Sequence, residues 1–391
     1  MKIDLSINKN FRYLLFCSLY LCEGLYIALI IIIIPLFLLE NDISIPIITL
    51  VIGISWSPWA LKFISGGISD YFIKIGRKKF VIIGGIIGAI CLLIISFINP
   101  TSYIILFTLF LFIGHFGIVF LDVSIDAWAI ETILKEELGR VNAAMNIGQI
   151  VGISLGAPLL ALVSQNISFD FAFLITGLII FLISLFPFAF QEIEHEKKIT
   201  RIPGMLLDEI KRRKTQLVTI FGFFVFISPG ILTSISAIFG STILDLSTME
   251  IGLIGAALLI FIIPGSWVGG YLADKYGRKK TLYILIVPAL FLTILLIFID
   301  SVLDFFILAG LINFLWNGIR AANDSMLMEI TNEKIAATEF SVINSFVNAG
   351  QVGAGAIAGS MVAFMGFDNV FILSGVIFIL PLFILHFIKI K

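Results

Sequence analysis

The sequence predicts an all-α integral membrane protein, with twelve transmembrane helices in two pseudo-symmetric bundles of six. Three observations carry that prediction. The 391 residues are 60% hydrophobic and only 13% charged, with a mean hydropathy of +1.12, more apolar surface than a water-soluble domain can bury. Apolar runs of about 20 residues, the length that crosses the hydrocarbon of a bilayer, recur between charged or turn-rich breaks. Motifs of the first half return in the same order in the second.

In chain order, the expected spans cover 12–38, 46–69, 80–98, 103–130, 141–163, 171–190, 215–239, 250–273, 281–299, 304–328, 338–363 and 369–388. The alternating pattern of a membrane barrel is absent, so each must be a helix that satisfies its own backbone in lipid. The first run, Phe11 to Leu39, has no small-residue cleavage site and reads as an uncleaved span. The longest polar break, Gln191 to Lys214, divides the chain. Residues 1–190 form one six-helix bundle, 191–214 a cytoplasmic central loop, and 215–391 the second bundle. Within the break, Met205, Leu206, Leu207 and Ile210 fall on one side of a stretch that ends in Lys211 to Lys214. A short helix lying on the inner membrane surface suits that pattern; a solvated charged linker is the alternative.

Orientation follows from the cations. With the N-terminus inside, the inner loops collect the Lys and Arg, while the outer loops carry Glu40, Asp42, Asp170, Asp245, Glu250, Asp300, Asp304 and Asp368. That asymmetry puts both termini in the cytoplasm of a multi-pass protein, expected in the plasma membrane. Only Lys62 and Arg320 are cations within spans.

Composition also excludes functions. A net charge of -1 argues against a nucleic-acid partner. Cys17, Cys22 and Cys91 lie in apolar runs and read as small hydrophobes. His115, His195 and His386 are too scattered for a metal site, and no cofactor is expected. No phosphate-binding loop marks an ATP-driven pump, and Gly353-Ala354-Gly355 lies in a span with no preceding strand. No nucleophile-base pair marks an enzyme.

The repeat is most specific in two cationic hairpins. Gly270-Tyr271-Leu272-Ala273-Asp274-Lys275-Tyr276-Gly277-Arg278-Lys279-Lys280 has a looser copy in Gly66, Gly67, Asp70 and Gly76-Arg77-Lys78-Lys79. Asp126 and Glu131 in span 4 match Asp324 and Glu329 in span 10, and Asn146-Ile147-Gly148-Gln149 matches Asn348-Ala349-Gly350-Gln351. Small-residue ridges at Gly148, Gly152 and Gly156, and at Gly350, Ala354 and Ala358, let helices approach closely. Topology alone accounts for Lys78, Lys79, Lys279 and Lys280.

The hairpin resembles the signature loop of the major facilitator superfamily, closely in the second copy and with two extra residues between Asp70 and Gly76 in the first. The resemblance implies that Asp70 and Asp274, with Gly76 and Gly277, form inner gate contacts, and that Arg77 and Arg278 pair with Glu131 and Glu329. It also implies that spans 1, 4, 7 and 10 line a central cavity. A finer resemblance, to the muropeptide permease and acetyl-coenzyme A transporter branch, rests on Trp56-Ser57-Pro58-Trp59-Ala60-Leu61-Lys62-Phe63, on Leu121-Asp122-Val123-Ser124-Ile125-Asp126-Ala127-Trp128, and on Gly148-Gln149 with Gly152.

Ionisable groups in hydrocarbon cost about 3 kcal/mol each at mid-depth, so each is a functional candidate. His115, Asp122 and Asp126 share one stripe of span 4; Asn313, Asn317, Arg320 and Asp324 share one of span 10; Glu23 is in the middle of span 1. Glu23, Asp122 and His115 are candidate proton carriers. Arg320, Asn317, and the amides of Asn146, Gln149 and Asn348 are candidate solute contacts. The plainer alternative is a fixed Asp122 to Arg320 or Glu23 to Lys62 ion pair, with Asp126 and Asp324 as further candidates for pairing. Asn142, Asn146 and Gln149, and Asn344, Asn348 and Gln351, could equally bond between helices.

The expected activity is secondary active transport of a small polar solute by alternating access, coupled to protons as symport or antiport, with Arg320 favouring an anion. The expected partners are that solute, protons and the bilayer, in a monomer. The alternatives are an uncoupled facilitator or exchanger, and a transporter-shaped receptor or scaffold that binds without moving its ligand.

Overall fold

The computed structural model describes the backbone of residues 8–132, 135–191, 202–332 and 336–389; among these, the side chains at 9, 70, 73, 130–132, 135–140, 142–143, 202–203 and 336–337 are not described. The gate candidates Asp70 and Glu131, and Asn142, fall among those undescribed side chains. The fold is all-helical.

Eleven helical stretches of the described residues are long and apolar enough to cross a membrane: Asn10–Glu40, Ile45–Ser69, Arg77–Ile95, Pro100–Ala129, Ala144–Asn166, Phe169–Ala189, Arg213–Thr242, Thr248–Tyr276, Arg278–Phe298, Val302–Ile330 and Thr338–Phe387. The last is 50 residues long. A continuous helix of that length would run about 75 Å, far beyond a bilayer. Gly366, with φ +78, breaks it, so spans 11 and 12 are two crossings joined without an intervening loop. The hydropathy pattern predicts a loop over 364–368; one glycine in a backbone conformation disfavoured for other residues takes its place.

Prolines shape two spans that carry the site. Pro35 cannot donate to the residue one turn earlier, and the π-helical turn Leu29–Ile33 sits just before it. Pro58 lies near the end of Ile45–Ala60, and the helix restarts at Lys62 after a break at Leu61. That break is where the span presents Lys62.

The chain forms two compact units. One comprises Met1–Asp42, Ser55–Thr200 and Ser247–Ala256; the other comprises Ile43–Ile54, Arg201–Leu246 and Ala257–Lys391. In the first, span 5 lies against span 1: a Cβ at Gly148 would overlap the Cys17 carbonyl, and one at Gly152 would crowd the Leu21 carbonyl. Leu15, Phe16, Leu121, Ile125, Trp128 and Phe190 belong to its core. Gly252 lies against Ala157, Pro158 and Ala161. In the second, span 11 lies against span 7, with Gly350 on the Phe223 carbonyl and Gly230 on that of Gln351. Val218, Phe221, Leu285, Met326 and Ile388 belong to its core. There the Thr49 hydroxyl accepts from Gly359 N at 2.9 Å and lies 3.4 Å from the Ala356 carbonyl. Both glycine ridges therefore serve close packing of the first span of a half on its fifth.

Large apolar side chains face outward, among them Phe364 at 87% and Phe97 at 81% exposure. Such a surface needs lipid around it.

Candidate functional site

In the first unit, spans 1, 2, 4 and 5 bring charged groups together out of water. Lys62 Nζ lies 2.7 Å from Asp122 Oδ2 and 5.0 Å from the Trp59 ring centroid. Asp122 and Glu23 are buried. Tyr20 donates its hydroxyl to Asp126 Oδ1 at 2.5 Å. Gln149 Nε2 donates to Glu23 Oε1 at 2.7 Å, and Glu23 Oε2 is buried without a hydrogen-bond partner. Glu23, Asp122, Asp126 and Lys62 are close enough to act on one another electrostatically. The cluster thus sets three carboxylates against one ammonium.

The alternative pairings resolve differently from the expectation. Lys62 takes Asp122, not Glu23, and Gln149 of span 5 occupies one oxygen of Glu23. His115 is fully buried between aromatic rings, 5.2 Å from Tyr26 and 5.3 Å from Trp56 by centroid. Its Nδ1 faces the Ser55 carbonyl and its Nε2 accepts from Trp59 Nε1 at 3.0 Å. Those partners fix the neutral Nδ1-H tautomer, so the ring acts as a bracket between spans 2 and 4.

In the second unit, Arg320 is exposed, one helical turn from Asp324, whose carboxyl its charge reaches. The amide nitrogens of Asn313 and Asn317 bond back to the carbonyls of Ala309 and Asn313. Asn348 is half-buried and Asn146 exposed.

At the two hairpins, Gly76 and Gly277 open the helices of spans 3 and 9 with φ +99 and +85. Arg278 Nη1 lies 2.6 Å from Glu329 Oε2, and its Nε donates to Ser325 at 3.1 Å. Asp274 is exposed. Arg77 is buried and donates to Ser69 at 2.7 Å, with Ser124 Oγ 3.5 Å from Ser69. The helix Ile202–Lys211 precedes span 7; its buried Glu209 accepts from Asn332 Nδ2 at 2.7 Å and from Arg212. The Asn332 amide in turn donates to Glu339. The central-loop helix is therefore held through a polar contact.

Residues 16–319 and 218–390 match the profile of the Major Facilitator Superfamily. The chain belongs to that superfamily. It is a membrane transporter of the major facilitator type, not an enzyme. It is 25% identical over 310 residues to the uncharacterized MFS-type transporter YxiO of Bacillus subtilis (strain 168), covering 72% of this chain and 70% of that protein. Among solved structures, it shares the fold of a mutant of the nucleoside transporter NupG, with TM-score 0.80, 14% identity, and 96% and 99% of the two chains covered. It also resembles a bacterial homologue of the human lysosomal transporter Spinster in an inward-facing, unoccupied conformation, with TM-score 0.75, 15% identity and 96% of each chain covered. A POT family transporter in complex with a thioalcohol-conjugated peptide gives TM-score 0.79, 12% identity, and 96% and 95% coverage.

Sequence reasoning missed Tyr20 and Ser325. Tyr20 lies one helical turn before Glu23, and Ser325 one turn before Glu329, so helical spacing from each candidate carboxylate was the available signal.

Proposed function

We propose that this major facilitator is a proton-coupled secondary transporter of a small polar solute, working by alternating access of the bundles 1–190 and 215–391 about the loop 191–214. The observation that carries this reading is the buried cluster of three carboxylates against Lys62. Full ionisation would leave two uncompensated negative charges in a low-dielectric interior, which is costly. A proton on Glu23, whose Oε2 has no partner, offsets part of that cost. Asp122 is engaged by Lys62, so Glu23 is the first carrier and Asp126, held by Tyr20, the second. Arg320, Asn317, Gln149 and Asn348 are the proposed solute contacts, and the exposed guanidinium of Arg320 favours an anionic group.

The gate is proposed to consist of Asp70, Gly76, Arg77 and Glu131 in one half and Asp274, Gly277, Arg278 and Glu329 in the other. Ion pairs that hold in one state and break in the other supply the two-state element. The protein is proposed to work as a monomer in the plasma membrane with both termini cytoplasmic. The segments that resemble the muropeptide permease and acetyl-coenzyme A transporter branch contribute Trp59, Lys62, Asp122 and Asp126 to the buried cluster, which supports placement in that branch.

A thermal-shift screen of the purified protein across sugars, peptides, carboxylates, nucleosides and nucleotides identifies the solute, and uptake into proteoliposomes with and without an inward proton gradient tests the activity. Gradient-stimulated accumulation supports the proposal. Ligand binding without uptake or exchange across the panel would indicate a receptor or scaffold.

A further inference from the structure

The lysine that directly follows each hairpin arginine does more than set topology. Lys78 is buried, and its ammonium donates to the Phe190 carbonyl at 2.9 Å. Lys279 donates to the His386 and Ile388 carbonyls, each at 2.9 Å. Phe190 caps the short helical turn that ends span 6, and Ile388 caps the helix that ends span 12. The last carbonyls of a helix have no partner within it and carry its negative end, so a lysine there finds ready acceptors. Both cap residues are buried within the core of their own half. The lysine after it behaves differently: Lys79 and Lys280 are exposed, and Lys280 lies over the Tyr276 ring, 5.4 Å away.

We propose that Lys78 and Lys279 are positioning residues that clamp each hairpin to the closing end of its own bundle, so that the hairpin and the inner end of span 6 or 12 move as one body. Positive-inside topology asks only for charge at these places. The same donor meeting the same kind of acceptor in both halves is a structural device that topology does not require. An ammonium with three donors can take two carbonyls at once, as Lys279 does. The adjacent arginine is left to face Ser69 or Glu329. The clamp concerns contacts within each half and holds whether or not the protein is proton-coupled.

The test uses the full chain in nanodiscs with paired spin labels, at Lys275 and Lys389 for the second half and at Lys74 and Gln191 for the first. Each pair is expected to give one narrow distance, unchanged when Glu329→Gln frees Arg278. Lys279→Met and Lys78→Met are expected to lose the narrow distance in their own half only, and Lys279→Arg, which keeps its donors, to restore it. Lys280→Met is the control and is expected to leave it intact. Should Lys279→Met fail to yield folded protein, Lys78→Met decides, with Lys79→Met as its control in the first half. Unchanged distances in the Met variants, or equal broadening in Lys280→Met, would overturn the clamp.

Discussion

Lys62 and Asp122 form a buried ion pair at 2.7 Å, with the lysine against the face of Trp59. Removing one partner leaves a charge out of water without its neighbour, which costs about 3–5 kcal/mol, whereas replacing both by apolar groups is near neutral. The lysine side chain retains 25% exposure, which places the loss at the lower end. Asp122→Asn is therefore expected to lower the thermal midpoint clearly, and the double variant Lys62→Met/Asp122→Leu to recover most of it. Additive losses in that cycle would show that the pair is not coupled.

The Arg278–Glu329 pair is about 30% exposed on each side, so solvent reduces its static worth to roughly 0.2–1 kcal/mol. Its expected effect is on conformation. Glu329→Gln should leave the thermal midpoint near that of the parent yet speed trypsin cleavage at the hairpin, where Lys275 and Lys280 are already exposed and Arg278 is released. Equal cleavage rates would show that the pair is no latch.

Two glycines of the same hairpin should respond in opposite ways. Gly277 has φ +85 and ψ 149, a conformation that strains any residue with a Cβ by about 1–3 kcal/mol. Gly270 is helical with no atom within 4 Å of an added Cβ, so alanine there is expected to be neutral or to stabilise by about 0.4–1 kcal/mol. Thermal unfolding of Gly277→Ala and Gly270→Ala checks the contrast.

The central-loop helix should loosen in acid. Hydrogen bonds from Asn332, and the nearby Arg212, hold the Glu209 carboxyl below its ordinary value. A depressed carboxylate contributes stability that is present above its unfolded value of about 4.3 and is lost as pH falls through the lower folded one. Hydrogen exchange of the amides of Ile202–Lys211 is expected to rise below about pH 4, and Glu209→Gln to remove that pH dependence. Exchange that rises equally in the variant would assign the loosening to another group.

Much of this architecture is legible in sequence because lipid imposes strong rules: span length, inside cations and helical backbone. The repeat matched Asp126 with Asp324, and the family resemblance of the hairpin implied the Arg278–Glu329 contact that the structure shows. What could not be read was the choice among neighbouring partners. Lys62 pairs with Asp122, and both ring nitrogens of His115 meet Ser55 and Trp59 of span 2, choices that residue types and spacing alone do not decide. Lys78 and Lys279 looked like surplus cations because their acceptors are backbone carbonyls, which residue types do not reveal.

Proton carriage by Glu23 is the step on which the proposed coupled transport depends. With the solute from the thermal-shift screen, proteoliposomes loaded with a pH-sensitive dye report proton movement upon solute addition, and radiolabelled solute reports counterflow exchange. Glu23→Gln is expected to keep exchange but to lose both solute-dependent proton flux and gradient-driven accumulation. A Glu23→Gln protein that still accumulated solute against its gradient at the parent level, with matching proton flux, would show that the coupled proton travels elsewhere.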